Sequence, residues 1–168
     1  MLESCNSCQI ISGANGRAIG TWLDTVAGAL ITVVKDKDTT DPSQLWWCLE
    51  YFNTQGADTS FALLTMYSNS LYALSMTPGV TYPFLTPFKL DPSYLWQLGD
   101  GISPVRDSDY CLTMEGAGTG NDPWPPGTRI QAYEWQQGHY DNQLWTIQTV
   151  TGQAAPTPTR RNRAASSR

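Results

Sequence analysis

The fold of this chain is decided by a short motif that occurs three times. The three copies are Asp41-Pro42-Ser43-Gln44-Leu45-Trp46, Asp91-Pro92-Ser93-Tyr94-Leu95-Trp96 and Asp141-Asn142-Gln143-Leu144-Trp145. The second copy lies 50 residues after the first, and the Leu-Trp pair of the third follows 49 residues later. Because tryptophan is a rare residue, three Leu-Trp pairs at this spacing indicate an internal repeat of about fifty residues.

A second recurring block precedes each Leu-Trp pair and follows a short polar turn. Its copies are Ala18-Ile19-Gly20-Thr21, Ala73-Leu74-Ser75-Met76 and Cys111-Leu112-Thr113-Met114. The segments between the blocks are rich in β-branched, apolar and aromatic residues and are bounded by turn-forming residues. They span residues 30–34, 61–66, 84–86 and 129–133. This pattern predicts short strands rather than helices.

Each unit of about fifty residues therefore holds roughly four short strands. One such unit cannot bury its apolar face alone, whereas three units around an axis share a core. The sequence predicts an all-β, pseudo-threefold barrel with repeats at about 5–52, 53–100 and 101–150. The equivalent core layer is expected to consist of Leu45, Leu95 and Leu144 with Trp46, Trp96 and Trp145.

Composition supports one domain and excludes several classes of protein. The chain has 168 residues, of which 40% are apolar and only 15% charged, so it has enough apolar residues to bury a core. Six basic residues stand against fifteen acidic ones before Val150, which disfavours a nucleic-acid partner. No apolar stretch is long enough for a membrane span.

The two ends of the chain carry expectations of their own. The N-terminal residues show neither a basic region nor a long apolar region, so we expect no secretory signal and a cytoplasmic location, with unconventional secretion as the alternative. Residues 151–168 contain Arg160, Arg161, Arg163 and Arg168 among Pro, Thr and Ser. This composition predicts a disordered basic tail, or alternatively one that docks on an acidic surface.

The cysteines and the single histidine point away from metal binding and catalysis. Cys5 and Cys8 form a CxxC, but Cys48 and Cys111 are isolated, so the paired spacing of a four-thiolate zinc site is absent. We expect structural thiols and no cofactor or metal, with a metal or redox role for Cys5 and Cys8 as the alternative. One histidine, His139, gives no credible catalytic triad, so no enzymatic activity is expected.

With these repeats the sequence resembles the ricin B-type lectins, the β-trefoil family marked by a Gln-any-Trp motif in each repeat. The resemblance rests on Gln44-Leu45-Trp46 and Gln143-Leu144-Trp145, with Tyr94-Leu95-Trp96 as a degenerate copy, and it covers roughly residues 5–150. It implies a β-trefoil fold and a carbohydrate-binding protein without catalytic activity, whose partners are saccharides or glycoconjugates.

In that family a functional repeat supplies an acidic residue, an aromatic ring with a Gln two residues before it, and an Asn before the Gln of the motif. The third repeat matches most of this pattern and is the one candidate sugar site. The expected carbohydrate-binding residues are Thr113, Gln131, Tyr133, Asn142 and Gln143. Thr113 occupies the acidic position, so either the site binds weakly or Asp122 or Asp141 supplies the charge.

The first two repeats depart further from the family pattern and are expected to serve the fold alone. The equivalent positions are Gly20, Val34 and Ser43 in the first repeat, and Ser75, Phe88, Ser93 and Tyr94 in the second. A disulfide common in secreted members is also excluded, because Trp135 stands where the partner of Cys111 would be. Three residues near the third site are candidates to widen it: Trp124, Trp135 and His139. The alternative is a packed loop plug for Trp124 and an exposed turn residue for His139.

Two other functions stay open at this point. A protein-binding trefoil, such as a protease inhibitor, has a similar size and acidity but uses its loops for recognition. A trefoil scaffold whose sugar sites have decayed is also compatible with Thr113 at the acidic position. The sequence leaves the sugar undetermined, and a homodimer is compatible with it.

Overall fold

The computed structural model describes residues 6–24, 29–51, 60–77, 79–89, 94–99, 101–106, 108–116, 120–135 and 141–154. Within these ranges the chain forms strands and short 3₁₀ turns. None of the described residues forms a helix of the length and apolarity that crossing a membrane requires.

The strands fall into three sets of four, as the repeat predicts. The first set is β1 (Asn6–Ser12), β2 (Ala18–Asp24), β3 (Ala29–Lys35) and β4 (Trp46–Tyr51). The second is β5 (Ser60–Tyr67), β6 (Ser70–Ser75), β7 (Phe84–Pro87) and β8 (Leu95–Leu98). The third is β9 (Ile102–Pro104), β10 (Tyr110–Met114), β11 (Ile130–Glu134) and β12 (Trp145–Ala154).

The first and last strands of each set build a barrel, and the middle two form a hairpin. The barrel strands pair antiparallel along the path β12–β1–β4–β5–β8–β9. The hairpins are β2–β3, β6–β7 and β10–β11. This arrangement is a β-trefoil, which confirms the fold class expected from the sequence.

Three indole rings tie the hairpins to the barrel in the same way. Each ring donates its Nε1–H to the backbone carbonyl of the Leu or Ile in the block that precedes it. The bonds are Trp46 to Ile19 at 2.9 Å, Trp96 to Leu74 at 3.0 Å and Trp145 to Leu112 at 2.7 Å. All three tryptophans are buried in one core cluster, so their expected core role is confirmed.

The expectation that the three leucines share this core layer is wrong. Leu45 lies in a second apolar cluster with Trp47 and Tyr94, while Leu95 and Leu144 are only half-buried. The reason is the twofold alternation of side chains in extended chain: if the Trp points inward, the residue before it points away from the same core.

The last strand extends beyond the expected end of the folded domain. β12 pairs with β1 from Trp145 opposite Ser12 to Ala154 opposite Asn6. Strand structure therefore continues past residue 150, where the sequence places the start of the tail. The rest of that tail, residues 155–168, lies outside the described residues.

Candidate functional site

The third hairpin places the expected site residues on one face. In the β10–β11 ladder Thr113 lies opposite Gln131, and Cys111 lies opposite Tyr133. The intervening residues, including Leu112 and Met114, point into the core and are almost fully buried. Because side chains alternate along a strand, the two facing pairs Thr113–Gln131 and Cys111–Tyr133 share the face turned away from the core.

Gln143 joins this face from the 3₁₀ turn at Asp141–Gln143. Its Nε2 donates to the hydroxyl of Thr113 at 3.2 Å and to the backbone carbonyl of Glu134 at 2.9 Å. The Thr113 hydroxyl in turn lies 3.2 Å from the carbonyl of Cys111, to which it donates. The Gln143 amide is therefore aimed at position 113, where the family places its carboxylate.

Asn142 fastens the same turn to the other end of β10. Its Nδ2 donates to the carbonyl of Met114 at 2.9 Å, and the residue is 9% exposed. Thr113 and Gln143 are each 2% exposed. These three polar groups form a buried network that holds the turn against the hairpin.

Tyr133 and Gln131 form the accessible part of the face. Tyr133 is 47% exposed, which makes it one of the few large aromatic or apolar side chains of the described residues that stand out of the surface. Gln131 is half-buried beside it. An exposed ring next to an amide offers an apolar plate together with hydrogen-bond donors and an acceptor. All five expected residues therefore lie together in the structure. Three of them are buried, Gln131 is half-buried and Tyr133 is exposed.

The hairpin registers correct two equivalences that the sequence comparison assigns. Ala132 lies opposite Leu112, and the same ladder position is held by Val34 opposite Ile19 and by Leu85 opposite Leu74. The residue that follows, equivalent to Tyr133, is therefore Lys35 in the first repeat and Thr86 in the second. The expected equivalents, Val34 and Phe88, are wrong. Val34 is a buried core residue, and Phe88 packs against the second apolar cluster.

In the first repeat a lysine fills the corresponding space. A Cβ atom added to Gly20 would stand only 2.5 Å from Cδ of Lys35, so the lysine stem lies directly over the glycine. Nζ of Lys35 is 3.0 Å from Oδ2 of Asp41 and also donates to the Ser43 hydroxyl. Burial raises the pKa of Asp41, but the hydrogen bonds from Ser43 and Lys35 outweigh this effect and lower it to about 2. The carboxylate is therefore ionised and held by the lysine at neutral pH.

In the second repeat two hydroxyl groups satisfy each other. Oγ of Ser75 lies 3.0 Å from Oγ1 of Thr86, and Ser75 is 1% exposed. Ser93, the expected equivalent of Asn142, lies outside the described residues. Tyr94 stands in place of Gln143 and is buried in the second apolar cluster. Of the three equivalent positions Lys35, Thr86 and Tyr133, the third repeat has the aromatic one.

A clamp from the first repeat holds the loop that follows β10. Arg17 donates to both carboxylate oxygens of Asp122 and, at 2.8 Å, to the backbone carbonyl of Trp124. It also donates to Asp36 at 2.9 Å, and the hydrogen bonds from Asp122 and Asp36 raise the pKa of Arg17 above its ordinary value. Asp122, one of the two expected sources of charge, is therefore engaged by an arginine. No sequence motif marks Arg17 for this role, because its loop partners Asp122 and Trp124 lie more than a hundred residues away.

The other flanking residues have distinct positions. Trp124 is half-buried against the core and donates its Nε1–H to the carbonyl of Gly116 at 3.2 Å, so it plugs the loop. The Trp135 ring packs over Gly101, where an added Cβ would meet Cζ3 at 2.6 Å. His139 lies outside the described residues. Asp141 is exposed at the start of the turn that carries Asn142 and Gln143.

A cavity of about 530 Å³ opens elsewhere, between the two ends of the barrel path. It is lined by Leu98, Ile102, Trp145 and Ile147 among others, and it contains none of the five expected site residues. Within the described ranges no group of three or more His, Cys, Asp or Glu side chains is placed to hold a metal ion. The polar face of the third hairpin is thus a surface site, separate from this cavity.

Comparison with known proteins places the fold. No protein-family model and no curated protein sequence matches this chain. Among solved structures, the designed threefold-symmetric protein ThreeFoil superposes with a TM-score of 0.61 at 18% identity, covering 86% of this chain and 99% of that one. This similarity supports the β-trefoil fold that the sequence predicts.

Two solved lectin structures share this fold. A lectin from Polyporus squamosus, solved with the epitope Neu5Acα2-6Galβ1-4GlcNAc, gives a TM-score of 0.61 at 12% identity. The match covers 89% of this chain and 50% of the Polyporus chain. An earthworm lectin C-terminal domain mutant, solved with 6′-sialyllactose, gives 0.50 at 19% identity, covering 86% of this chain and 99% of that one.

Proposed function

We propose that this chain, a β-trefoil with the ricin B-like fold, binds a saccharide at the third hairpin and carries out no catalysis on it. The observation that carries the proposal is the exposed Tyr133 ring, which shares one face with Gln131, Thr113 and the Gln143 amide. The solved lectins with the same fold support a carbohydrate as the ligand class.

A sugar ring matches this face chemically. The ring has an apolar C–H side, which stacks on the 47% exposed Tyr133, and a rim of hydroxyl groups, which pair with amides. Of the three side-chain amides at the site, Gln131 is the accessible one. Asn142 and Gln143 are buried and position the turn. We assign ligand contact to Tyr133 and Gln131, and positioning to the two buried amides.

Asp141 is an exposed acid that begins the turn carrying Asn142 and Gln143. Asp122 is held by Arg17 and contributes no free carboxylate. We therefore assign to Asp141 the negative charge that position 113 lacks. Hydrogen bonds to a carboxylate are roughly twice as strong as neutral ones, so Asp141→Asn is expected to weaken binding.

Affinity is expected to be weak, in the millimolar to high-micromolar range, or roughly −4 to −6 kcal/mol. Few neutral hydrogen bonds contribute, and each nets about 1 kcal/mol. Against them stands the loss of freedom of the ligand and of the rotatable side chains on binding.

A glycan array run beside a protease-inhibition panel tests the proposal. Binding to a defined glycan class, with no inhibition, is the expected result, and the Asp141→Asn variant should give a lower signal on the same glycans. Inhibition without glycan binding would assign the chain to the protein-binding trefoils. Silence in both assays, with the fold intact by circular dichroism, would identify a scaffold whose sugar sites have decayed.

A further inference from the structure

Two cysteines that are forty positions apart in sequence meet in the barrel. Cys8 on β1 lies opposite Trp46 on β4, and Cys48 follows two residues after that tryptophan. Their sulfur atoms are 3.3 Å apart and share a hydrogen bond, and both cysteines are reduced in the structure. The sequence treats Cys48 as isolated, and the structure corrects this by pairing it with Cys8.

The geometry points to a modification site: we propose that Cys8 and Cys48 form a reversible disulfide when the protein meets a low-molecular-weight disulfide such as oxidised glutathione. An S–S bond is about 2.0 Å long, so the two sulfurs must approach each other by little more than 1 Å. The register of β1 against β12 shifts between Asn6 and Cys8, and such bulges bend a strand locally. Side-chain rotation at this irregular end of β1 supplies the remaining movement.

The two thiols differ in access, which sets the order of the exchange. Cys48 is half-buried, whereas Cys8 is only 4% exposed. The hydrogen bond from Cys48 holds the pKa of Cys8 below its ordinary value, although burial acts in the opposite direction. The thiolate, which is the reactive form in exchange chemistry, is therefore favoured at Cys8.

The reaction balances as two exchange steps. The Cys48 thiol loses its proton and attacks one sulfur of the external disulfide, which forms a mixed disulfide, and the released sulfur takes up a proton and leaves as the first small thiol. The Cys8 thiolate then attacks the Cys48 sulfur, closes the protein disulfide and releases the second small thiol. The two protein thiols lose two electrons and two protons, and the external disulfide takes up both and becomes two thiols.

Cys111 provides a contrast within the same chain. It is fully buried, and burial raises the pKa of its thiol to about 11 despite a hydrogen bond with Thr113. A thiol of this kind is almost entirely protonated at neutral pH and unreactive. Exchange is therefore expected at the Cys8–Cys48 pair and absent at Cys111.

The disulfide would fasten β1 to β4 and close a loop of forty residues that contains most of the first repeat. Such a cross-link restricts the unfolded chain and raises Tm by about 5 °C or more for a chain of this size. Because β1 also pairs with β12, the disulfide would lie where the first and last strands of the barrel pair.

The experiment treats the reduced, folded full-length chain with oxidised glutathione, then alkylates the remaining thiols under denaturing conditions and maps the linked peptides by mass spectrometry. The Cys5→Ser variant is run in parallel, because Cys5 and Cys8 lie on one tryptic peptide. We expect a Cys8–Cys48 link in both proteins, an alkylated Cys111 and a higher Tm after oxidation. The Cys48→Ser variant should give no closed disulfide and no shift in Tm.

Three results would overturn the proposal. One is a Cys5–Cys8 disulfide as the main product in the natural chain. Another is a glutathione adduct that stays on Cys48 without closing. The third is full alkylation of both Cys8 and Cys48 after prolonged oxidation. None of these outcomes bears on saccharide binding, which involves another face of the molecule.

Discussion

At the scale of single residues, Trp145 connects the barrel to the candidate site. Its indole is 6% exposed and donates to the Leu112 carbonyl at 2.7 Å, next to Thr113. The same bond occurs at Trp46 and Trp96, so the motif's tryptophan fixes the hairpin and not the ligand. This contact explains why the Leu-Trp pair repeats even where the rest of the site does not.

We expect Trp145→Ala to lower the free energy of unfolding by about 3–5 kcal/mol, because it removes a large buried side chain and leaves a cavity. Trp145→Phe keeps most of the apolar volume but leaves the Leu112 carbonyl unpaired, so a smaller loss of about 1–3 kcal/mol is expected. Urea denaturation of the two variants measures both values. An unchanged midpoint for Trp145→Ala would refute the core assignment.

Thr113 is the residue at which this chain departs from the family pattern. The Gln143 amide already donates to its hydroxyl at 3.2 Å, so a carboxylate at the same position would find a donor in place. We expect Thr113→Asp to strengthen saccharide binding about tenfold, or about 1.4 kcal/mol, through charge-assisted hydrogen bonds. Titration calorimetry with the strongest glycan of the array measures the change.

Thr113→Asn is the matched control for that variant, since it has the same shape without the charge. It should bind no more tightly than the natural chain. If Thr113→Asp folds normally and its affinity stays unchanged, the missing carboxylate is not the reason for weak binding.

At the scale of the elements, the strands follow closely from sequence and the loops do not. Residues 30–34 and 84–86 alternate or run apolar, and they lie within β3 and β7 as expected. The connections after these strands differ in length between repeats, and sequence counting cannot tell where a residue is lost. A shift of one residue turns a side chain to the opposite face, which is why Val34 was expected where Lys35 stands.

The residues of the candidate site divide in the same way into those that the sequence predicts and those that it does not. Gln131, Tyr133, Asn142 and Gln143 follow from the resemblance of the third repeat to the family pattern. The Arg17 clamp joins side chains of different repeats, which meet only after the hairpins pack, and the Lys35–Asp41 pair depends on the strand register that places Lys35 over Gly20. No periodicity in the sequence encodes such contacts, so the sequence does not predict them.

The Arg17 clamp carries a prediction of its own. Arg17→Met retains the apolar stem but removes the bonds to Asp122 and to the Trp124 carbonyl. We expect a loss of about 1 kcal/mol in unfolding free energy, because partly exposed ion pairs contribute little. Hydrogen exchange should also accelerate in residues 120–128.

Asp36→Asn is the control, because it removes one partner of Arg17 and leaves the loop contacts in place. Its loop exchange should match that of the natural chain. Unaltered exchange in Arg17→Met would mean that Trp124 and the core hold the loop without the arginine.

At the scale of the whole molecule, the three similar repeats differ in the side chains that cover the outer face of the hairpin. The first repeat covers its hairpin face with Lys35, and the second satisfies its two hydroxyls internally. The third leaves Tyr133 exposed beside a network of amides. A trefoil of this kind has a threefold core but a single candidate site, so one saccharide per chain is expected.

The central claim, saccharide binding at the third hairpin, is tested most directly by calorimetric titration of the natural chain, Tyr133→Ala and Trp22→Ala with one glycan. Trp22 is the matched control, because it is 56% exposed on β2 of the first repeat, where no site is proposed. We expect a stoichiometry of one saccharide per chain, complete loss of binding in Tyr133→Ala and unchanged affinity in Trp22→Ala. Binding that survives in Tyr133→Ala, or a stoichiometry near three, would contradict it.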